Sequence, residues 1–472
     1  MSASKEALQA RVKALEEEVE RLKYQLRGKS DQGTMPPLKA QENSGNSKRG
    51  KKAFDFAAHP RRHVALRLAY LGWQYQGFAV QENTDNTVEA RVFEALLKTK
   101  LVQDRQSSNY HRCGRTDKGV SAFSQVISID LRSSQFSGLG VTVPDGIEPK
   151  AGGGAETKAE LPYVKMLNRV LPPDIRALGW SPVPIGFSAR FDCQSRTYRY
   201  YFPCGDLDVQ LMAEAAKRYE GTHDFRNLCK MDVGNGVLQF QRTITSASVQ
   251  PCQPGHPSPS DPQRLYVFEV KGLAFLYHQV RCMMAVLLLI GQKLEAPDVI
   301  NQLLDVKNNP RKPQYSMAVD YPLVLYECHF DGLRWISEPE EESHVLSSLL
   351  QHWTQTAVRA QVLNGMIHGL QSPDTDKAPV IPCCLMEGSR QRNYRPLLER
   401  PRCESLESRI QHFVKRGRLE REEGEGGEEG STVFRGKSGA FSRLLKPRRV
   451  QVEVEGFHVK VSRTFEVRQR CV

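Results

Sequence analysis

One stretch constrains this chain more than any other: NYHRCGRTDKGVSAFSQVISIDL, residues 109–131. Its first part is a turn of small and polar residues, in which Gly114 and Gly119 bracket Arg115, Thr116, Asp117 and Lys118. Its second part, Ala122 to Leu131, alternates and is rich in Val, Ile and Phe, which predicts a strand. The stretch therefore reads as a loop at the edge of a sheet, with one carboxylate between two cations. Loops on a rigid scaffold are where reactive groups are presented. By itself, an Asp in such a turn is most often an Asx-turn or helix-cap residue.

The neighbouring segments set that loop in an α+β unit. His63 to Tyr70 alternates as a strand, and a turn-like segment follows it. In TVEARVFEALLKTKL, Thr87 is the expected N-cap, and Val88, Val92, Leu96 and Leu97 form one apolar face. A second stretch, FSARFDCQSRTYRYYF, residues 187–202, alternates from Thr197 onward and reads as a strand. Ordinary sheet packing accounts for at least one of Tyr198, Tyr200 and Tyr201, since neighbours face opposite sides. A third, FLYHQVRCMMAVLLLIGQ, residues 275–292, predicts a buried helix ending at Gly291. Arg281 sits one turn into that helix and is not expected to lie bare in a core. Two partners are open to it: any Asp or Glu, in a plain buried ion pair, or Asp117 itself.

The string G-R-T-D-x-G-V-S-A running into an apolar strand resembles the central motif of the TruA-type tRNA pseudouridine synthases. Three further patterns resemble the same family. Tyr70, Gly72, Tyr75, Gly77, Phe78 and Gln81 match its strand-one motif, F-S-A-R-F with R-T-Y-R-Y its second, and F-x-x-H-x-V-R its third. The resemblance spans residues 63 to about 335. It implies the pseudouridine synthase fold: two α+β halves sharing a mixed, mostly antiparallel sheet with an RNA cleft between them. It implies Asp117 as the catalytic residue and Arg115 as the residue that extrudes the target base. It also implies Tyr198 packed on the flipped base, as a candidate proton acceptor, and Arg281 salt-bridged to Asp117. No metal or cofactor is implied. The resemblance implies tRNA as the partner and a homodimer, since the bacterial members are homodimers with tRNA lying across both subunits. The segments AFDFAAHPRRHVALR, GTHDFRNLCKMDV and SRIQHFVKRGR resemble the eukaryotic members that modify uridines 38 and 39 of the anticodon stem-loop. A differently targeted or non-catalytic RNA-binding protein that kept the fold is the alternative, and the intact trio Asp117, Tyr198 and Arg281 argues for the enzyme.

Composition agrees with a polyanionic partner: 66 Lys plus Arg against 54 Asp plus Glu give a net charge of +12 over 472 residues. Eleven scattered cysteines with no C-x-x-C pair form neither a disulfide framework nor a zinc knuckle, and suggest a reducing compartment. There is no P-loop, because the G-K-S at 436–438 has Ser431 where G-x-x-x-x-G-K-S needs Gly. The most apolar run, Met283 to Ile290, is too short to span a bilayer. Leu8, Val12, Leu15, Val19, Leu22 and Leu26 form a short heptad seam in residues 1–28, a dimerisation or partner helix or else a surface helix. Residues 29–62 read as a linker containing the basic S-K-R-G-K-K at 47–52, either an import signal, an RNA-contacting arm or a solvated charge run. A nuclear and cytoplasmic location is expected. Residues 133–160 read as a disordered insertion, 336–420 as a helical extension, and 421–472 as a low-complexity and unassigned tail.

Overall fold

The structure, a computed structural model, describes residues 54–147, 159–252, 263–370, 385–387 and 393–417, with strands 419–422, 433–436, 451–455 and 458–462. The heptad segment and the basic cluster lie outside the described residues.

Alternation along the chain produces a ten-stranded sheet. In chain order its strands are β1 (Arg61–Tyr70), β2 (His111–Arg112), β3 (Ser121–Arg132), β4 (Val141–Thr142), β5 (Ile175–Pro182), β6 (Ser195–Pro203), β7 (Gly221–Asp224), β8 (Gln241–Pro251), β9 (Leu265–Gly272) and β10 (Leu323–His329). The main path runs β4-β1-β3-β10-β6-β9-β8-β7, with β5 on β1 and β2 on β3. Every named pairing is antiparallel except β3 with β10, which is parallel and joins only Ser121 to Val324 and Ala122 to Leu325. That short contact is the seam between the two halves.

Each half has its own core. On the first, α1 (Val88–Lys98) and α2 (Tyr163–Asn168) pack with β1, β3 and β5 around Leu66, Val126, Ile129 and Ile175. Thr87 caps α1 by accepting from the Ala90 N–H, as its position predicts. The buried face differs from the expected one: Phe93 and Ala95 are inside, while Leu97 is 41% exposed. Phe93 turns inward against the Tyr110 ring, with centroids 5.0 Å apart. On the second half, α3 (Val209–Ala216), α4 (Gln279–Gly291) and α5 (Val299–Leu304) pack on β6, β8 and β9. All residues of α4 are buried, Arg281 included. At about 1.5–3 kcal/mol for each fully buried Leu, Ile or Met, this helix is the main anchor of the second half.

Two boundaries differ from those read in the sequence. The segment expected to be a disordered insertion is ordered at both described ends. Val141 and Thr142 pair with β1, and Glu160 accepts from Ser133 Oγ at 2.7 Å and from the Ser134 N–H at 3.0 Å. Its Ser- and Gly-rich composition hid these local side-chain bonds. The extension past residue 335 is not a separate body: Asp55–Val472 forms one compact unit. Leu385, Leu397 and Leu406 belong to the core of the second half, and Glu295 accepts from the Leu397 N–H at 2.6 Å. The long helix α6 (Pro339–Leu370) is mostly exposed, with Glu341 and Val345 its buried residues. Further on lie α7 (Leu406–Lys415) and two hairpins, β11 (Leu419–Glu422) with β12 (Val433–Gly436) and β13 (Gln451–Glu455) with β14 (His458–Ser462). Among the described residues no helix is long and apolar enough to cross a membrane.

Candidate active site

The loop between β2 and β3 carries Asp117, and the segment after β1 holds it. Tyr70 Oη and Thr116 Oγ1 are 2.7 Å apart, the Phe78 N–H donates to the Thr116 carbonyl at 3.0 Å, and the Gly119 N–H donates to the Tyr75 carbonyl at 3.2 Å. A Cβ on Gly72 would stand 1.9 Å from the Val120 carbonyl oxygen, so only glycine allows the two backbones to meet here. Gly119 has a φ of +76°, and a side chain there would meet the Asp320 carboxyl at 2.7 Å. The base of the loop is fixed as well. Gln125 bonds both backbone groups of Gly114, at 3.0 and 3.2 Å. Buried Glu89 on α1 takes Arg112 at 2.6 Å and Arg105 at 3.1 Å. Tyr70, Gly72, Tyr75 and Phe78 of the strand-one motif thus clamp the Asp117 loop.

Asp117 itself is one-fifth exposed, with a side-chain accessibility of 21%. Burial raises its carboxyl to about 6, against a lowering field from Arg281, with Asp320 raising it and Lys230 lowering it. Its Oδ2 lies 3.6 Å from His278 Nε2. His278 sits at the N-cap of α4 with a φ of +60°, its ring against Tyr277 at a centroid distance of 3.8 Å. Burial, then Arg281, Lys230 and Lys312, push this imidazole down to about 3, so it is neutral and meets Asp117 as a dipole.

Tyr198 is on β6, opposite Leu325 of β10 and Val270 of β9. Its ring meets Phe275 edge to face at 4.9 Å. Burial drives its phenol far above the ordinary range, and Asp117 adds to that field. Arg115 is exposed on the Asp117 turn. The structure therefore brings Asp117, Arg115 and Tyr198 to one region, each on an element that the sequence predicted.

The expected Arg281–Asp117 salt bridge is not formed. Arg281 Nε donates to the Ala318 carbonyl at 2.8 Å, and its terminal amine pairs with the Glu387 carboxylate. A buried guanidinium takes the nearest acceptors, and here a distant segment supplies the carboxylate. The plain alternative, an ion pair with another acid, is the one observed. Arg281 still acts on Asp117 through space. Glu387 is delivered by backbone pairing: the Val319 N–H donates to Leu385 and the Glu387 N–H to Met317, both at 2.9 Å. Sequence reasoning missed Glu387, Asp320, Lys230 and the contact of His278. Only His278 carried a local signal, as the His of F-x-x-H-x-V-R.

Comparisons with known proteins agree with this geometry. A family model described as tRNA pseudouridine synthase matches residues 215–331. The tRNA pseudouridine(38/39) synthase of Homo sapiens is 53% identical over 436 residues, covering 88% of this chain and 89% of that protein. The protein of the same name from Saccharomyces cerevisiae is 42% identical over 304 residues, 63% of this chain and 64% of its own. The tRNA pseudouridine synthase A of Methanosphaerula palustris is 31% identical over 307 residues, 65% of this chain and 91% of its own.

Proposed function

The chain belongs to the TruA-type tRNA pseudouridine synthases, which are isomerases, and from that premise we propose that it converts uridines 38 and 39 of the tRNA anticodon stem-loop to pseudouridine with Asp117 as nucleophile. The observation that carries the reading is Asp117 itself: a carboxylate clamped by backbone bonds, partly open, with a raised pKa. With a carboxyl at about 6, roughly nine-tenths of the sites are charged at pH 7, and the group is still basic enough to exchange a proton near that pH.

The reaction breaks the N1–C1′ bond, turns the base and joins C5 to C1′. The C5 hydrogen leaves as a proton and N1 ends protonated, so no oxidant is needed. A stacked uridine must first leave its stack. Exposed Arg115, two residues before Asp117, is the side chain to fill the vacated space. The Tyr198 ring offers a face for the extruded base. Its raised pKa argues against the phenolate as the acceptor of the C5 proton and leaves Asp117 or a water for that step.

A homodimer that binds tRNA across two copies is part of the same proposal. Its support is α6, where two exposed apolar groups, Leu346, Leu349 and Trp353, then Leu363, Ile367 and Leu370, each have three- and four-residue spacing and are separated by ten residues. A nuclear and cytoplasmic location rests on the basic cluster at 47–52. Tritium release from C5-labelled uridine in tRNA, with Asp117→Ala beside the parent, tests the chemistry. Release by a clean Asp117→Ala preparation refutes the nucleophile. Mapping of pseudouridine in cells lacking the protein tests the positions: losses elsewhere, with 38 and 39 intact, reassign the substrate. Sedimentation tests the dimer, and a tagged chain lacking residues 47–52 tests the location.

A further inference from the structure

Three cysteines from separate parts of the chain converge behind the active-site loop. Cys113 lies between β2 and the Asp117 turn, Cys193 just before β6, and Cys328 on β10. Their sulfurs all lie within 4.8 Å of one another. Cys113 and Cys328 are buried, and Cys193 is half-buried. None of the three has a part in the isomerisation as proposed above.

The Arg196 guanidinium stands beside the three sulfurs, donating to the carbonyls of Leu273 at 2.7 Å and Cys113 at 3.1 Å. A metal ion could replace the thiol protons. With metal–sulfur bonds of about 2.3 Å, tetrahedral geometry places sulfurs about 3.8 Å apart, an ångström inside the present limit. Thiolate ligands select soft d10 ions. Three thiolates leave one negative charge with Zn²⁺ and two with Cu⁺, and Arg196 offsets one of them.

We propose that Cys113, Cys193 and Cys328 form a binding site for one thiophilic d10 cation, Zn²⁺ or Cu⁺, that staples the Asp117 loop to β6 and β10. Binding releases the thiol protons. Among the described residues no fourth His, Cys, Asp or Glu joins the set, so the ion is three-coordinate or completed by water. The location gives the staple its purpose. Cys328 pairs with Arg196 across β10 and β6, close to the seam where β3 and β10 share only two register positions. An ion there fixes the Asp117 loop relative to Tyr198, which the hydrogen bonds of the seam alone hold weakly. Linear spacing could not show this site, since no two of its ligands are near in sequence.

The test is metal analysis of the full chain purified under reducing conditions, with and without added zinc. The expected result is about one equivalent of zinc or copper per chain, the element found deciding between the two ions. Cobalt(II) loading should give a thiolate-to-metal charge-transfer band. Cys193→Ser, at the half-buried member, and Cys328→Ser should each lose at least ten-fold of the metal, while Cys403→Ser keeps it. A strong chelator should lower the melting temperature of the parent and leave that of Cys193→Ser unmoved, which separates metal loss from a folding defect. Three results overturn the site: no bound metal after zinc loading with all three thiols open to alkylation in the unfolded chain, a disulfide joining two of them, or metal retained by both serine variants.

Discussion

Replacing Asp117 by asparagine should abolish isomerisation and make the protein more stable. Asparagine has the shape of a protonated aspartate and carries no charge. The folded carboxyl titrates at about 6 instead of 3.8, mainly because burial disfavours its charge. A raised folded pKa means that the native state binds its proton more tightly than the unfolded chain does. Its contribution to stability is present below 3.8 and is lost as pH rises through about 6. Above that, ionised Asp117 is a constant burden of about 3 kcal/mol, falling to about 1 kcal/mol near pH 4.5. Asp117→Asn removes the burden, so its gain should follow the same curve. Urea titrations of both proteins near pH 7.5 and pH 4.5 measure it, with equal slopes as the check on two-state behaviour. The same carboxyl should set an acidic limb in kcat/KM of the parent near pH 6. A variant no more stable than the parent near pH 7.5, or a gain that does not shrink on acidification, refutes the idea that burial perturbs Asp117.

Other outcomes follow from the surroundings of that carboxylate. Glu387→Gln removes the counter-charge of Arg281, so the field of Arg281 on Asp117 strengthens and the acidic limb should move down by roughly half a unit; an unmoved or raised limb shows that Glu387 has no hold on the site. Arg281→Met should move the limb the opposite way, and Arg281→Lys should fall between, because lysine keeps the charge and loses the planar fork. Gly72→Ala sets a methyl against the Val120 carbonyl, so the Asp117 loop must shift; activity should drop about 100-fold with tRNA binding retained, as expected for a misplacement near 1 Å, and near-normal turnover refutes the clamp. Binding of tRNA should weaken steeply with salt as Lys and Arg contacts release counterions, and a flat salt response in a filter-binding titration refutes a charge-led interface.

Local rules made part of this molecule legible. The alternation of Ala122 to Leu131 produced β3, Thr87 capped its helix, and the apolar run 283–290 lies in the buried α4, because each depends on neighbours within a turn or a strand. The partner of Arg281 was not legible. Helix patterning says that a buried guanidinium needs a carboxylate, yet Glu387 lies 106 residues away and arrives by backbone pairing with 317–319. Leu97 was assigned inward on periodicity, but the aromatic contact of Phe93 with Tyr110 rotates the buried face. The three thiols were scattered in the sequence and meet only because β10 inserts beside β6. The motif residues Tyr70, Gly72 and Tyr75 were recognised as a pattern before their physical purpose, clamping another loop, was visible.

The position of β10 has a consequence for how the protein is made. Domains emerge and fold from the N-terminus during synthesis. β10 is the last of the ten sheet strands to leave the ribosome, yet it fills the gap between β3 and β6. Until Leu323–His329 emerges, each half presents an open edge there, and open edges pair readily with other chains. A nonsense codon before residue 323 therefore yields two half-sheets with raw edges, a substrate for chaperones and proteases. One placed between residues 330 and 385 yields a closed sheet in which Arg281 has lost its carboxylate. The nascent chain passes through both states in that order, so Arg281 gains its carboxylate only after β10 has filled the gap in the sheet.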